Sequence, residues 1–590
     1  MVRSVLPCIV VLSLAACPVA AQTSKPDEER RAFGTSLLLG LMDEVQKGKD
    51  EQLRARILSR IADALWEADS KRGWTLFSEA WDAAEKADAD SARLSEEART
   101  KPSGGPAPYF PDIRSEVLLL AAKRDLALGE DLLARLAPKG GTVATASLVG
   151  APAALEQRLR LARRLIAEDP KLALQIAELA LKCVSMNGLA FITSLRDRDS
   201  AAADQRFAGM VAAAALDPQS DANTVSLLSS YLFTPNYFVK VGREGGRDSA
   251  QWGRRVAPPE VSADLRTAYL QAAAQILLRT LTAEEEERTS AGALGKFRII
   301  QRLMPAFEQY GPQDSVEKLR DMLTSLAKGK DWPAGDDDEL LKRTSPDREA
   351  ADHEKASIAR LGSAATPLER DGIYLELAMM TSDRGDLRAR NFLEKIESAE
   401  VRQSAKNLVE ICLAIRALDS KDAEKAQEIA HDGGLSPIQK VWVLTQVARQ
   451  LQKTERGSAR KLVEEALVEA RRIDSSDLDR PRGLMAVANA FSFADPPRAW
   501  EILAEAVIAA NATAGFTGTD GRLNIFLKTN LISSSRIQWV GDFDVDGAFE
   551  AFTLDDYKRA VESARGFNGQ IPRATALCSI GRTLLGKVRK

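Results

Sequence analysis

Asp542, Asp544 and Asp546 followed by Gly547 set three carboxylates at alternate positions before a glycine, the opening of a calcium loop in which alternate acids converge on one cation. The rest of such a loop is missing. Thr553 stands where a bidentate glutamate would close the site, and Phe543 and Val545 are apolar where a calcium loop is polar. These acids read as the surface approach to a helix starting near Asp556, with calcium as the alternative. A second cluster lies in Phe233 to Pro259, where Tyr237, Arg243, Arg247, Trp252, Arg254 and Arg255 are interleaved with glycines. Aromatic and arginine side chains on a long loop suit peptide or sugar recognition, and the plainer reading is a disordered insertion.

Acid–base and metal chemistry have little to work with. His353 and His431 are the chain's two histidines, so an H-E-x-x-H zinc helix is absent and a triad would have to use one of them. His431 closes a helix before Asp432-Gly433-Gly434, where an imidazole can bond last-turn carbonyls, and His353 reads as solvated surface. Gly292 to Lys296 looks like part of a phosphate loop, but Ser290 replaces the first glycine and Phe297 the hydroxyl residue. The sequence therefore contains no catalytic constellation and implies no cofactor.

The elements that must carry these residues are helical hairpins. In Arg482 to Thr513, Leu484, Val487, Ala488 and Phe491 form one apolar stripe, and Ala499, Ile502, Leu503 and Ala506 form another after Asp495-Pro496. Aspartate before proline is a reasoned helix start, because the carboxylate accepts orphan N–H groups and proline has none to lose. From Ala488, small or acidic residues fall at +7 (Asp495), +11 (Ala499) and +18 (Ala506). The same register recurs at Ala62, Asp69, Gly73 and Ala80; at Ala162, Asp169, Ala173 and Ala180; and at Ala448, Glu455, Ala459 and Ala466. Ala378 and Ala414 begin partial copies, and a corner acid with its small residue recurs at Asp556 and Ala560. Small side chains at a helix crossing let the axes approach to about 8 Å. A single hairpin cannot cover its own apolar face, so such units stack in arrays.

Small residues at these offsets resemble the tetratricopeptide pattern, whose corresponding spacing is about one residue longer. The resemblance is to a superfamily of helical solenoids. It is clear over 366–513, present near 52–85 and 154–184, and lacks the family's regular tryptophan, tyrosine and repeat-ending proline. It implies an all-α, right-handed α-solenoid of antiparallel hairpins that binds a protein or peptide on its concave face.

Along the chain, 1–21 reads as an export signal with a basic Arg3, an apolar stretch and a Val19-Ala20-Ala21 cleavage site; the alternative is a lipobox ending at Cys17, which lipidation would anchor to a membrane. A hairpin region over 22–187 is interrupted by a Pro/Gly linker at 101–111. An irregular helical region over 188–365 contains long loops at 233–259 and 328–346, and 366–590 is the second repeat region. Ile571 to Leu585 reads as a terminal helix without a partner, serving as a cap. A net charge of −3 offers no case for nucleic acid or an anionic membrane surface. The expectation is an exported, non-catalytic scaffold for a protein or peptide, periplasmic or extracellular. An all-helical polysaccharide lyase, using Tyr237 or Tyr310 opposite Arg243 or Arg254, is the alternative.

Overall fold

The computed structural model describes residues 25–99, 111–136, 153–242, 247–251, 257–328, 346–432, 434–529 and 532–586. The proposed signal and Cys17 lie outside them, as do most of the 101–111 linker and all of 328–346 but its ends.

The chain is predominantly helical. Its first half comprises α1 (Lys25–Lys47), α2 (Glu51–Leu65), α3 (Ser70–Arg99), α4 (Ile113–Arg124), α5 (Leu126–Leu136), α6 (Ala153–Leu165), α7 (Pro170–Ala177), α8 (Met186–Arg196), α9 (Ser200–Leu216) and α10 (Ala222–Leu232). A β-hairpin of β1 (Tyr237–Val241) and β2 (Arg247–Gln251) precedes α11 (Ala263–Leu278), α12 (Ala283–Arg288), α13 (Gly292–Tyr310) and α14 (Gln313–Ala327). The second half runs through α15 (Pro346–Leu361), α16 (Pro367–Asp383), α17 (Arg388–Glu394), α18 (Ala399–Asp419), α19 (Ala423–His431), α20 (Pro437–Leu451), α21 (Arg456–Arg472), α22 (Asp479–Ala494) and α23 (Pro496–Ala512). A second hairpin, β3 (Arg522–Lys528) with β4 (Ser533–Trp539), then leads to α24 (Val545–Arg565) and α25 (Gln570–Leu585).

The repeated corner has one backbone geometry. Asp169, Asp199, Asp495 and Asp556 leave the helical region at φ −141°, −148°, −156° and −145°, with ψ between 85° and 96°. The corner N–H still bonds a carbonyl four residues back, as in Asp69 to Leu65 (2.9 Å), Asp169 to Leu165 (2.8 Å) and Asp495 to Phe491 (2.7 Å). Its carboxylate then accepts from the next helix's first turn: Arg72 N at 3.0 Å, Leu172 N at 3.0 Å and Ala202 N at 2.9 Å. Glu455 keeps the corner but makes no side-chain cap, its extra methylene carrying the carboxylate past its own first turn. All the register alanines are 1% exposed or less. The register also extends beyond its apparent end near Val184, since α8 and α9 meet at the same corner at Asp199 and Ala203.

Two expectations are corrected. Within a predominantly helical fold, 233–259, expected as an irregular loop, contains β1 and β2, and 522–528 with 533–539 forms β3 and β4. Nor is α25 a cap without a partner, because α1 and α2 both pack on it. Arg573 pairs with Glu44 at 3.0 Å, and Asp546 at the start of α24 receives Arg582 at 3.3 Å and Arg60 of α2 at 3.5 Å. Gly34 and Gly581 make the approach possible, since a Cβ at Gly34 would stand 2.9 Å from Leu584 Cβ and one at Gly581 2.5 Å from Leu38 Cδ2. The first helices of successive hairpins therefore pack in the order α16, α18, α20, α22, α24, α25, α2, α4, α6, α8 and α10. α25 and α1 form a hairpin whose arms come from opposite ends of the chain.

Candidate functional site

Among the described residues, the outward face of the β3–β4 hairpin groups the most exposed large hydrophobic side chains on one element. Its sequence alternates: Leu523, Ile525 and Leu527 point inward, while Asn524, Phe526 and Lys528 point outward. The antiparallel register sets Trp539 opposite Arg522, Ile537 opposite Asn524 and Ser535 opposite Phe526. On the outer face Phe526, Ile537 and Trp539 are 47%, 56% and 59% exposed.

The inner face of this hairpin lies on the first helices of consecutive repeats. β3 packs on α18. Arg536 of β4 donates to Asp383, the last residue of α16, at 2.7 Å and to Cys412 Sγ of α18 at 3.0 Å. Burial pushes the Cys412 thiol up to about 11, so it stays protonated beside that guanidinium. Arg482 of α22 donates to the Arg522 carbonyl and lies over the Phe543 ring. Asp542 accepts from Arg449 of α20 at 2.7 Å and from Asn489 of α22 at 2.5 Å. The insertion after α23 is thus tied to four earlier helices.

The three acids of the calcium pattern go to separate places. Asp542 is buried on Arg449 and Asn489, Asp544 caps α24 by accepting from Gly547 N at 2.7 Å, and Asp546 pairs with Arg60 and Arg582. Burial pushes the Asp544 carboxyl up to about 6, outweighing the Gly547 N–H. Among the described residues no group of His, Cys, Asp or Glu is arranged to hold a metal ion.

The 233–259 cluster is brought together only in part. Tyr237 pairs with Gln251 and Arg247 with Val241, so these two candidates sit at opposite ends of the β1–β2 ladder. Arg243, Trp252, Arg254 and Arg255 lie outside the described residues. The hairpin is fixed to α10 by Asn223, which accepts from Val241 N at 2.9 Å and donates to its carbonyl at 3.0 Å. Tyr310, the other tyrosine of the lyase alternative, carries the Arg266 guanidinium 4.4 Å from its ring centre.

The histidines are engaged between neighbouring helices. His431 Nε2 lies 3.0 Å from Glu465 of α21, not on the last carbonyls of its own helix. His353 Nε2 is 2.7 Å from Glu376, which also accepts from Ser357. Ser357 thus bonds the carboxylate rather than the imidazole, so the three form no serine–histidine relay. A cavity of about 230 Å³ lies between α10, α11, α13 and α14. Lys296 on its wall donates to the Arg279 carbonyl at 3.1 Å, and burial holds its ammonium below the usual lysine range. That lysine ends the Gly292–Lys296 stretch.

No protein-family model matches the chain, and no curated protein matches it. A solved structure described as "Circular tandem repeat protein with novel repeat topology and enhanced subunit contact surfaces" is similar at 14% identity, covering 94% of this chain and 97% of that chain, with a TM-score of 0.11. A superposition that poor carries no argument about shape. The many helices and the recurring corner are consistent with a helical-repeat fold.

The sequence reading missed the β3–β4 hairpin, although Leu523, Ile525 and Leu527 announce it at period two. It also passed over the paired tryptophans Trp66 and Trp74, which flank a corner already recognised.

Proposed function

We propose that this chain is an exported, right-handed α-solenoid of tetratricopeptide-like hairpins that acts as a non-catalytic scaffold for a protein or peptide partner. The observation that carries the reading is the outer face of β3–β4. Exposed tryptophan and phenylalanine on a well-anchored element are the residue types that dominate binding energy at protein interfaces. The anchoring supports it too, since Arg536, Arg482 and Asp542 fix the hairpin to α16, α18, α20 and α22 and so limit the ordering cost of binding. In this reading the hairpin lies on the face where a tetratricopeptide array would receive a partner, and recognition moves outward onto the hairpin.

A photo-crosslinking residue placed at Trp539, with Leu216 as an exposed control on α9, tests the proposal in an envelope extract. One discrete adduct at 539 and none at 216 is expected. The adduct protein, once identified and purified, should bind the full chain at least ten-fold more weakly when Trp539→Ala and Phe526→Ala are introduced. Unchanged affinity would overturn the assignment of the face.

A further inference from the structure

The two β-hairpins differ in what becomes of the outer edge of their first strand. On β1 that edge is closed. Asn223 of α10 accepts from Val241 N at 2.9 Å and donates to its carbonyl at 3.0 Å, and Ser226 donates to the Val239 carbonyl at 2.6 Å. Tyr237 N donates to the Thr234 carbonyl at 3.0 Å, and Thr234 Oγ1 donates to the Tyr237 carbonyl at 2.9 Å. Alternate residues of the strand thus have outward peptide groups bonded to the chain itself.

β3 lacks that cover. Val540 N donates to the Gly521 carbonyl at 2.7 Å and Thr529 N to the Ile532 carbonyl at 2.9 Å, so the ladder to β4 runs through Leu523, Ile525 and Leu527. The peptide groups of the residues between them point the other way. At the base of the strand the Arg522 carbonyl is taken by Arg482. Beyond it, the N–H and C=O of Asn524 and Phe526 meet no hydrogen-bonding partner among the described residues, and both side chains are exposed. They make a row of donors and acceptors with a repeat of about 7 Å. The devices that protect such a row are missing at these two residues: neither is proline or charged, the register is unbroken from Arg522 to Lys528, and no helix side chain reaches them as Asn223 and Ser226 reach β1.

We propose that β3 takes up an extended segment of a partner polypeptide as a third strand, bonded to the peptide groups of Asn524 and Phe526. The occupant follows from the chemistry of the edge, because donors and acceptors at ladder spacing are matched by another extended backbone. A single strand fits beside a hairpin whose inner face already lies on α18, whereas a second copy of the hairpin would bring its own helices with it. The added strand sets every second side chain beside Phe526 on the outer face, which calls for apolar residues at those positions. This rests on the reading of β3–β4 as the partner-binding face and names the mode of recognition there.

Asn524→Pro is the diagnostic variant. The N–H it removes faces away from β4, so the hairpin keeps its ladder, while an added strand loses a donor and meets the pyrrolidine ring. Random linear peptides displayed on phage are selected on the full chain, and the winners are synthesised with a label and titrated by fluorescence anisotropy. Peptides with apolar residues at alternate positions are expected, binding about ten-fold more weakly to the Asn524→Pro chain or when their own alternate amides are N-methylated. The thermal melt of the Asn524→Pro chain should match the parent, and the N-methylated peptides make the same test on the unaltered chain. Failure to select any peptide, or peptides that bind equally well after both changes, overturns the proposal. A crosslinked partner weakened by Trp539→Ala and Phe526→Ala but not by Asn524→Pro leaves the face in place and removes strand addition. One weakened by Asn524→Pro alone keeps strand addition and removes the side-chain assignment.

Discussion

The hairpins α2–α3 and α22–α23 share a register, a corner geometry and a tryptophan at one position, and they differ in what the next hairpin does to that tryptophan. Around Trp500 the neighbour supplies the Phe552 ring, Asp555 as acceptor and the Arg559 guanidinium, so the indole becomes part of the core between repeats. Around Trp74 the neighbour supplies Ala121 and an arginine drawn off to Asp63 and Glu67, so the indole faces solvent. Stability in a repeat array is approximately a sum of unit and interface terms. The same residue type can therefore serve cohesion in one place and contribute little to it in another.

Substitution at the two tryptophans is the sharpest way to break this contrast. Trp500→Ala should cost about 4 kcal/mol, because it empties a buried indole site and leaves Asp555 and Arg559 without their partner. Trp74→Ala should cost less than about 1 kcal/mol, a difference that denaturant melts of the two variants resolve. Comparable losses would mean that the two corners are equivalent after all. Ala488→Trp and Ala62→Trp address what the hairpins share: each forces a ring into a fully buried crossing and should destabilise its own hairpin by about 2–3 kcal/mol or more. A silent thermal melt for either variant would remove the packing basis of the register.

A smaller effect is read by pH at the start of α24, the helix that follows α22–α23. The Asp544 carboxyl is pushed up to about 6 in the fold from an ordinary value of 3.8, so folding favours its protonated form. Its contribution is fully present below about pH 4 and is lost as pH rises through about 6. Asp544→Asn keeps an N-cap for Gly547 without the charge. It should raise stability by about 2 kcal/mol at pH 7.5 and by nothing measurable at pH 4, as urea titrations at the two values would show. The corner caps give the smallest effects: Asp69→Ala and Asp495→Ala should each cost about 1 kcal/mol, whereas Glu455→Ala, which removes no cap bond, should lie within about 0.5 kcal/mol of the parent.

The corner acids and small residues were legible because they answer to local chemistry. Asp69, Asp169 and Asp495 cap helices that begin within a few residues of them, and Ala488 or Ala506 need only one neighbour to define their burial. The strands were harder to see. Phe238, Val239 and Val241 carry a strand's composition but sit in a glycine-rich stretch that also fits a loop, and what fixes them is Asn223, a residue of the preceding helix. β3 alternates plainly, yet the groups that anchor its partner β4 and the turn after it, Asp383, Cys412 and Arg449, come from helices far back in the chain. The exposure of Trp74 depends on where Arg124 turns: Asp63 and Glu67 draw it off, but the arginine itself comes from the next hairpin. The docking of α25 on α1 was out of reach for the same reason, because its alternation of apolar residues matches any amphipathic helix and does not name its mate.

That last pairing also sets an order of events. Glu44 and Arg573 are 529 positions apart, so on a ribosome adding roughly 5–20 residues per second α1 is made about half a minute to two minutes before the helix it must meet. Throughout that interval Leu38, Leu41, Met42 and Val45 have no α25 to lie against. The newborn chain must therefore be kept from aggregating through this stripe until α25 is made, and a chain stopped before Gln570 leaves the wait permanent. A helix that waits on one made more than five hundred residues later makes the synthesis of α25 a condition for burying α1.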